Sequence, residues 1–312
     1  MFAEKLDWLK TSQTKFTAAE TDQAGALGEE LAFEQLENTL KALHCKAQIF
    51  RSLRVPKGKG NGKYEIDLLL VSQAGVLVIE VKHWGGKIAV EKGGWIQIRG
   101  QEVKSLPDPV KLNQEKLLAL RQWLRKHQIE VPDACIQSIV FFTNPKISIN
   151  RDLKKKPGIV TSENLLQTVL DTCSQPKRSL WQRRPTAQFS YSTLIARLEQ
   201  LPTWDRVQLY GGRVVHGDLD YIVLPSIKGS VVSRKNVRFA NILMSRRAFP
   251  GLFLPSKVLV KNWDGRMTFL PLLPGAKLVF RAAGQLERQE IALQNVESLQ
   301  LGWKDDSYYT KD

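Results

Sequence analysis

Hydrophobic positions crowd densely between Ile66 and Val81. Ile66, Leu68, Leu70 and Val71 precede Gln73-Ala74-Gly75, and Val76, Leu77, Val78, Ile79 and Val81 follow it. They fill both phases of the strand alternation, which predicts a hairpin of two strands covered on both faces. Asp67, Glu80 and Lys82 interrupt this run. Three charges inside so apolar a hairpin need a reason.

The flanking pattern supplies the rest of an α/β unit. In "AGALGEELAFEQLENTLKAL", Phe33, Leu36 and Leu40 fall at helical spacing, with Glu30, Glu34, Glu37 and Lys41 on the opposite face. Glu29 lies four residues before Phe33, on the apolar stripe, so it is expected to point toward the core. A strand is predicted near Ala47 to Leu53, followed by the basic glycine-rich loop "RVPKGKGNGKY". After the hairpin, "KIAVEKGGWIQIRGQEVKSL" alternates like two strands around Gly93-Gly94. Pro109 opens a helix to about His127 with Val110, Leu117, Leu120 and Leu124 as its apolar stripe. "CIQSIVFFT" reads as a buried strand, and "SENLLQTVL" as a helix capped by its serine.

Beyond Leu201 the pattern changes to short alternating runs broken by glycine and proline, the mark of an all-β domain. The expected organisation is a first domain over 1–175, a basic linker and helix over 176–202, and a β-rich accessory domain over 203–312. Val207-x-x-Tyr210-x-Gly212-Arg213 and Val260-x-x-Trp263-x-Gly265-Arg266 echo each other, as a duplication or as shared hairpin grammar.

Composition narrows the partners. A net charge of +15 on 312 residues favours a polyanion, and nucleic acid is the commonest. No segment is long and apolar enough to span a bilayer, and no basic amphipathic helix argues for a membrane surface. Cys45, Cys135 and Cys173 are far apart without CxxC spacing, so neither a disulfide framework nor a zinc site is expected and a reducing cytoplasm fits.

The three charges in the hairpin converge whichever turn is chosen. With Gln73-Ala74 as the turn, Asp67 lies opposite Glu80; with Ala74-Gly75, it lies opposite Lys82. Glu80 and Lys82 share a sheet face. Two neighbouring buried carboxylates need a cation or a proton between them. Lys82 can neutralise one. A divalent metal is the expected neutraliser of the rest, with Glu29 as a third carboxylate. Carboxylate donors without histidine or cysteine favour Mg²⁺ or Mn²⁺. A buried salt bridge without chemistry is the plainer alternative, but such pairs add little net stability.

Gly25-x-x-Gly28-Glu29 opening a helix, Glu65-x-Asp67 on a strand, and Glu80-Val81-Lys82-x-Trp84-x-Gly86 together resemble the nuclease-related domain, NERD, of the PD-(D/E)xK nuclease superfamily. The resemblance runs from Gly25 through the Pro109 helix to the strand ending near Thr143. It implies a restriction-endonuclease-like α/β domain, a mixed sheet flanked by helices. Asp67 and Glu80 would then be metal ligands, Lys82 the catalytic lysine and Glu29 the helix glutamate completing the site. The implied activity is Mg²⁺- or Mn²⁺-dependent hydrolysis of DNA phosphodiesters; the alternative is a DNA-binding or scaffold protein that retains the fold with weak or absent catalysis. In the family the helix after the sheet opens Asn-Pro with a glutamine three residues past the proline. Here Asp108-Pro109 is followed at that place by Leu112, and Gln114 points about 200° away. Arg54, Lys57, Lys59 and Lys63, around the basic loop, are candidate contacts to the nucleic-acid backbone.

Overall fold

The computed structural model describes residues 20–58, 62–91, 93–174, 189–225, 231–233, 239–245, 257–262, 265–273, 275–283, 285 and 287–302. The chain divides near Leu201–Pro202 into two compact units.

The first unit begins with α1 (Glu20–Ala42) and strands β1 (Ala47–Pro56), β2 (Lys63–Ser72) and β3 (Val76–Lys82). A three-stranded extension follows, β4 (Gly86–Glu91), β5 (Gly94–Arg99) and β6 (Glu102–Leu106), and then α2 (Pro109–Lys126). The unit closes with β7 (Ile136–Phe142), β8 (Ile147–Ile149), α3 (Arg151–Lys154), β9 (Ile159–Thr161), α4 (Leu165–Cys173) and α5 (Tyr191–Leu198). The main sheet runs β1-β2-β3-β7-β9, antiparallel from β1 to β3 and parallel beyond. A smaller sheet runs β6-β5-β4-β8. The parallel pairing of β3 with β7 is resumed by β4 and β8 after a break over 83–85, and Gly86, at φ 79°, opens β4.

The hairpin's turn is Gln73-Ala74. Val71 pairs with Val76, and the Ser72 hydroxyl accepts from the amides of Ala74 and Gly75. This register sets Asp67 across from Glu80. The sheet is covered on both faces, as its doubly apolar pattern requires. Ala32, Leu36 and Leu40 of α1 and Leu165 and Val169 of α4 pack with Leu68, Leu70, Leu77, Ile79 and Val81. Strand alternation turns Asp67 and Glu80 toward the other face, which α2 covers.

Three sequence expectations are corrected. The segment after β3 holds three strands, because Gly100 at φ 60° makes a second turn that Gly93-Gly94 overshadowed. Helix α4 starts at Leu165 after Asn164, and the Ser162 hydroxyl donates to Gln35 instead of capping it. Cys45 and Cys173 form a disulfide with Cα atoms 6.5 Å apart, because α1 and α4 end side by side on one sheet face. With that pair formed, the cysteines no longer argue for a reducing compartment. No helix among the described residues is long and apolar enough to cross a membrane.

Of the basic linker and helix expected over 176–202, residues 176–188 lie outside the described residues. Its final helix, α5, buries Leu194 and Leu198 and groups with the first unit. The second unit is all-β: β10 (Asp205–Leu209), β11 (Val214–Val223), β12 (Val231–Ser233), β13 (Phe239–Ser245), β14 (Lys257–Asn262), β15 (Met267–Pro271), β16 (Lys277–Ala282), β17 (Gln289–Ala292) and β18 (Val296–Gln300). Its antiparallel order is β15-β14-β13-β18-β10-β11-β16-β17, with β12 on β11. Buried Asp205 ties the unit by accepting from the amides of Leu219 and Gly302. In the echoed motifs, Gly212 and Gly265 both take positive φ between paired strands, as two hairpin turns would require.

Gly28 sets how closely α1 meets β3. A Cβ there would lie 2.6 Å from His83 Cβ, whereas one at Gly25 meets nothing within 4 Å. Gly25→Ala is therefore expected to stabilise by about 0.5–1 kcal/mol through helix propensity. Gly28→Ala should destabilise by about 1–3 kcal/mol through overpacking. Urea unfolding of the two variants checks the opposite signs.

Candidate functional site

Strands β2 and β3 part beyond the Leu68–Ile79 pair. At this fork the Val81 amide donates to Asp67 Oδ2 at 2.8 Å, so a side chain takes the place of a ladder partner. Glu80, 6% exposed, sits opposite. Lys82 Nζ donates to Glu80 Oε1 at 2.7 Å, and Lys82 also lies 5.8 Å from the centroid of the Trp84 ring. Asp67, Glu80 and Lys82 thus share one face at one end of the sheet.

Glu29 stands on α1, on the other side of the sheet, where the charges of Asp67, Glu65 and Glu80 act on it. The missing Cβ of Gly28 is what lets α1 come so close to the end of β3. His83, facing this helix, bonds Thr143 Oγ1 at 2.9 Å. Burial, and then the charges of Asp67 and Glu65, push the Glu29 carboxyl up to about 7; Arg51 opposes them, and Glu80 adds to the rise.

A fifth residue, Lys116 of α2, completes the cluster. Its ammonium hydrogen-bonds Glu80 Oε2 and lies 3.4 Å from Asp67 Oδ1, with the side chain 13% exposed. Burial alone would lower its pKa, but the two carboxylates raise it, so it stays charged. Burial likewise pushes Glu80 up, yet Lys116 and Lys82 together hold it below the usual carboxylate range. Asp67 moves the other way: burial and the neighbouring Glu80 raise it, and Lys116, the Val81 amide and Lys82 do not cancel them.

Lys116 carries a signal that the sequence reading passed over. Pro109, Asn113, Lys116, Leu120 and Trp123 recur at spacings of three and four, so both polar residues stand on the buried stripe, as Glu29 does on α1. Asn113 Nδ2 bonds the Val78 and Ile139 carbonyls at 3.1 and 2.7 Å and so pins α2 to β3 and β7. Leu112, at the place of the family's glutamine, is 39% exposed.

The basic residues suggested for backbone contact are dispersed. Arg54, 4% exposed, is buried opposite Glu65 and is not placed to meet a polyanion from the surface. Lys63 is half-buried at the start of β2, and Lys59 lies outside the described residues. Lys57 is exposed, with its ammonium 4.5 Å from the Tyr64 ring centroid. It lines a hollow with Gln122, Arg125 and Lys126 from the end of α2, two cations that the sequence reading did not single out.

The two carboxylates that the resemblance assigns to a divalent ion are held here by lysine ammonium groups. Among the described residues no group of three histidine, cysteine, aspartate or glutamate side chains is placed to hold a metal. An ammonium already bridges the two carboxylates. Two ammonium groups, those of Lys82 and Lys116, thus face the two carboxylates.

Residues 24–143 match the family model of the nuclease-related domain. That match lies within the first unit and is consistent with a PD-(D/E)xK-related nuclease-like domain there. No curated protein matches the chain, and no solved structure does.

The position of Glu29 has a measurable consequence. Its ionisation costs more in the folded protein than in the unfolded chain. The cost is absent below the ordinary value of 4.5 and fully present above about 7. Glu29→Gln should therefore raise the melting temperature relative to the parent at pH 8, with the advantage fading as pH falls through that window. Melting curves at pH 4, 6 and 8 check it.

Proposed function

We propose that the chain is a nucleic-acid-binding protein that keeps a nuclease fold, with its carboxylate pair held by two lysines in place of a metal ion. The observation that carries this reading is the Lys116 ammonium on Glu80 and Asp67, within the region that matches the nuclease-related domain. A net charge of +15 and the hollow lined by Lys57, Arg125 and Lys126 support a polyanionic partner. The α2 helix brings Lys116 to the carboxylates and, about 14 Å further along, presents Arg125 and Lys126 to solvent. DNA is the first partner to test, with RNA beside it. The β-rich second unit is read as an accessory domain that holds nucleic acid or a partner close to the first.

Metal-dependent deoxyribonuclease activity is the second reading. It is favoured by the convergence of Asp67, Glu80 and Lys82, with Glu29 in their field, which is the set the resemblance implies. Lys116 would have to leave the carboxylates for it to operate. Incubating labelled linear, circular and single-stranded DNA with the protein, with and without Mg²⁺ or Mn²⁺, separates the two. Binding without cleavage is the expected result, and efficient metal-dependent cleavage overturns it.

Two variants sharpen the test. Replacing Lys57, Arg125 and Lys126 with alanine should weaken duplex binding uniformly and reduce the salt slope by about 2–3, measured by fluorescence anisotropy. Lys116→Ala leaves two buried carboxylates short of a cation and should cost about 3–5 kcal/mol at pH 7. Mn²⁺ should restore stability to that variant, by about 2.7 kcal/mol at a hundred times its Kd, and leave the parent unchanged in thermal-shift experiments.

A further inference from the structure

A cleft of about 350 Å³ runs from the end of β3 to the β5–β6 hairpin. Its outer wall is one face of that hairpin. Register pairs Trp95 with Leu106, Gln97 with Lys104 and Arg99 with Glu102, so all six side chains stand on the same side. That face changes character along its length. Trp95 is buried in the core beside Phe142, and Leu106 packs against the same cluster. Gln97 donates to the Gly85 carbonyl at 2.7 Å, and Arg99, Glu102 and Lys104 are exposed. A face made only to cover the core would not end in three charges lining a cleft. Among the described residues, neither Arg99 nor Lys104 has a carboxylate within ion-pair distance.

The opposite wall is built from the end of β3. Trp84 is half-buried, with its ring 5.8 Å from that of Phe142 and tilted by 56°, and it lines the cleft. Lys82 lines the inner end and is the same ammonium that bonds Glu80. The cleft thus shares Lys82 with the carboxylate site. It carries three cations, Lys82, Arg99 and Lys104, against one carboxylate, Glu102.

We propose that this cleft binds one unpaired nucleotide of a single nucleic-acid strand, with Trp84 stacking on the base and Arg99 and Lys104 taking the flanking phosphates. The proposal rests on the nucleic-acid reading above and names the form of partner that the first unit takes. The volume lies at the small end of ligand sites, about 300–1,000 Å³, which leaves room for one nucleotide and none for a base pair with both backbones. An aromatic ring beside unpaired cations is the arrangement that holds single strands without regard to sequence. Bonded to Glu80, Lys82 marks where the seated strand meets the carboxylates.

Fluorescence anisotropy with labelled 12-nucleotide oligo(dT), oligo(U) and a 12-base-pair DNA duplex tests this on the full chain. The parent should bind the single strands more tightly than the duplex, and the two oligonucleotides show whether the strand is DNA or RNA. Trp84→Ala should weaken single-strand binding about tenfold or more and leave the duplex largely unaffected. Because Trp84 also packs on Phe142, the exposed pair Arg99→Gln/Lys104→Gln carries the test if that variant does not fold. Its single-strand salt slope should fall by about 1.4. Single-strand affinity and slope unchanged in that pair, or a duplex that competes as well as the single strand, overturns the cleft alone. A parent that binds none of the three probes overturns both this inference and the nucleic-acid reading.

Discussion

One hydrogen bond, from the Val81 amide to the Asp67 carboxylate, underlies the arrangement at the end of the sheet. Continued pairing would give that amide a main-chain acceptor. The strands part instead, and a buried amide must find another partner. Asp67 supplies it and is thereby fixed at the fork, where its charge lacks water. Everything near it answers that charge. Glu80 across the fork raises the need for cations, Lys82 and Lys116 meet it from a strand and a helix, and Glu29 is pushed up by its burial first and then by the charges of Asp67 and Glu65. The close approach of α1 at Gly28 and the anchoring of α2 by Asn113 hold these groups where the fork can use them.

Much of this was legible in the chain because burial writes itself as periodicity. The β2–β3 hairpin, α1 and α2 stand out for that reason, and so does Glu29, a charge on an apolar stripe. The same test applied to α2 would have found Lys116. Lys116 is hidden by its polarity, since an apolar stripe through Leu117, Leu120 and Leu124 passes it by, and the family's glutamine position falls on Leu112 instead. The second turn of the extension was hidden because Arg99-Gly100-Gln101 has one glycine and no proline. Arg54 looked like a surface cation from its neighbours in sequence; only the register, which sets it opposite Glu65 in a covered strand, reveals its burial.

The disulfide could not have been read from spacing. Cys45 and Cys173 meet only because two helices that start in different parts of the chain end together against one sheet face. Three cysteines without a motif offer no hint of that geometry, whereas each helix separately was plain.

The pair has a consequence in mechanics. Its partners are 128 positions apart, and every strand from β1 to β9 lies between them. A pull applied to α1 and to the chain beyond α4 would travel through the sulfur bridge and bypass the sheets entirely. Strands β1 to β9 would then lie outside the loaded path. In the chain-entropy picture, closing a loop of this length also restrains the unfolded chain by about 5 kcal/mol. Reducing conditions would take away both protections at once, and the fork would then bear whatever load the chain carries.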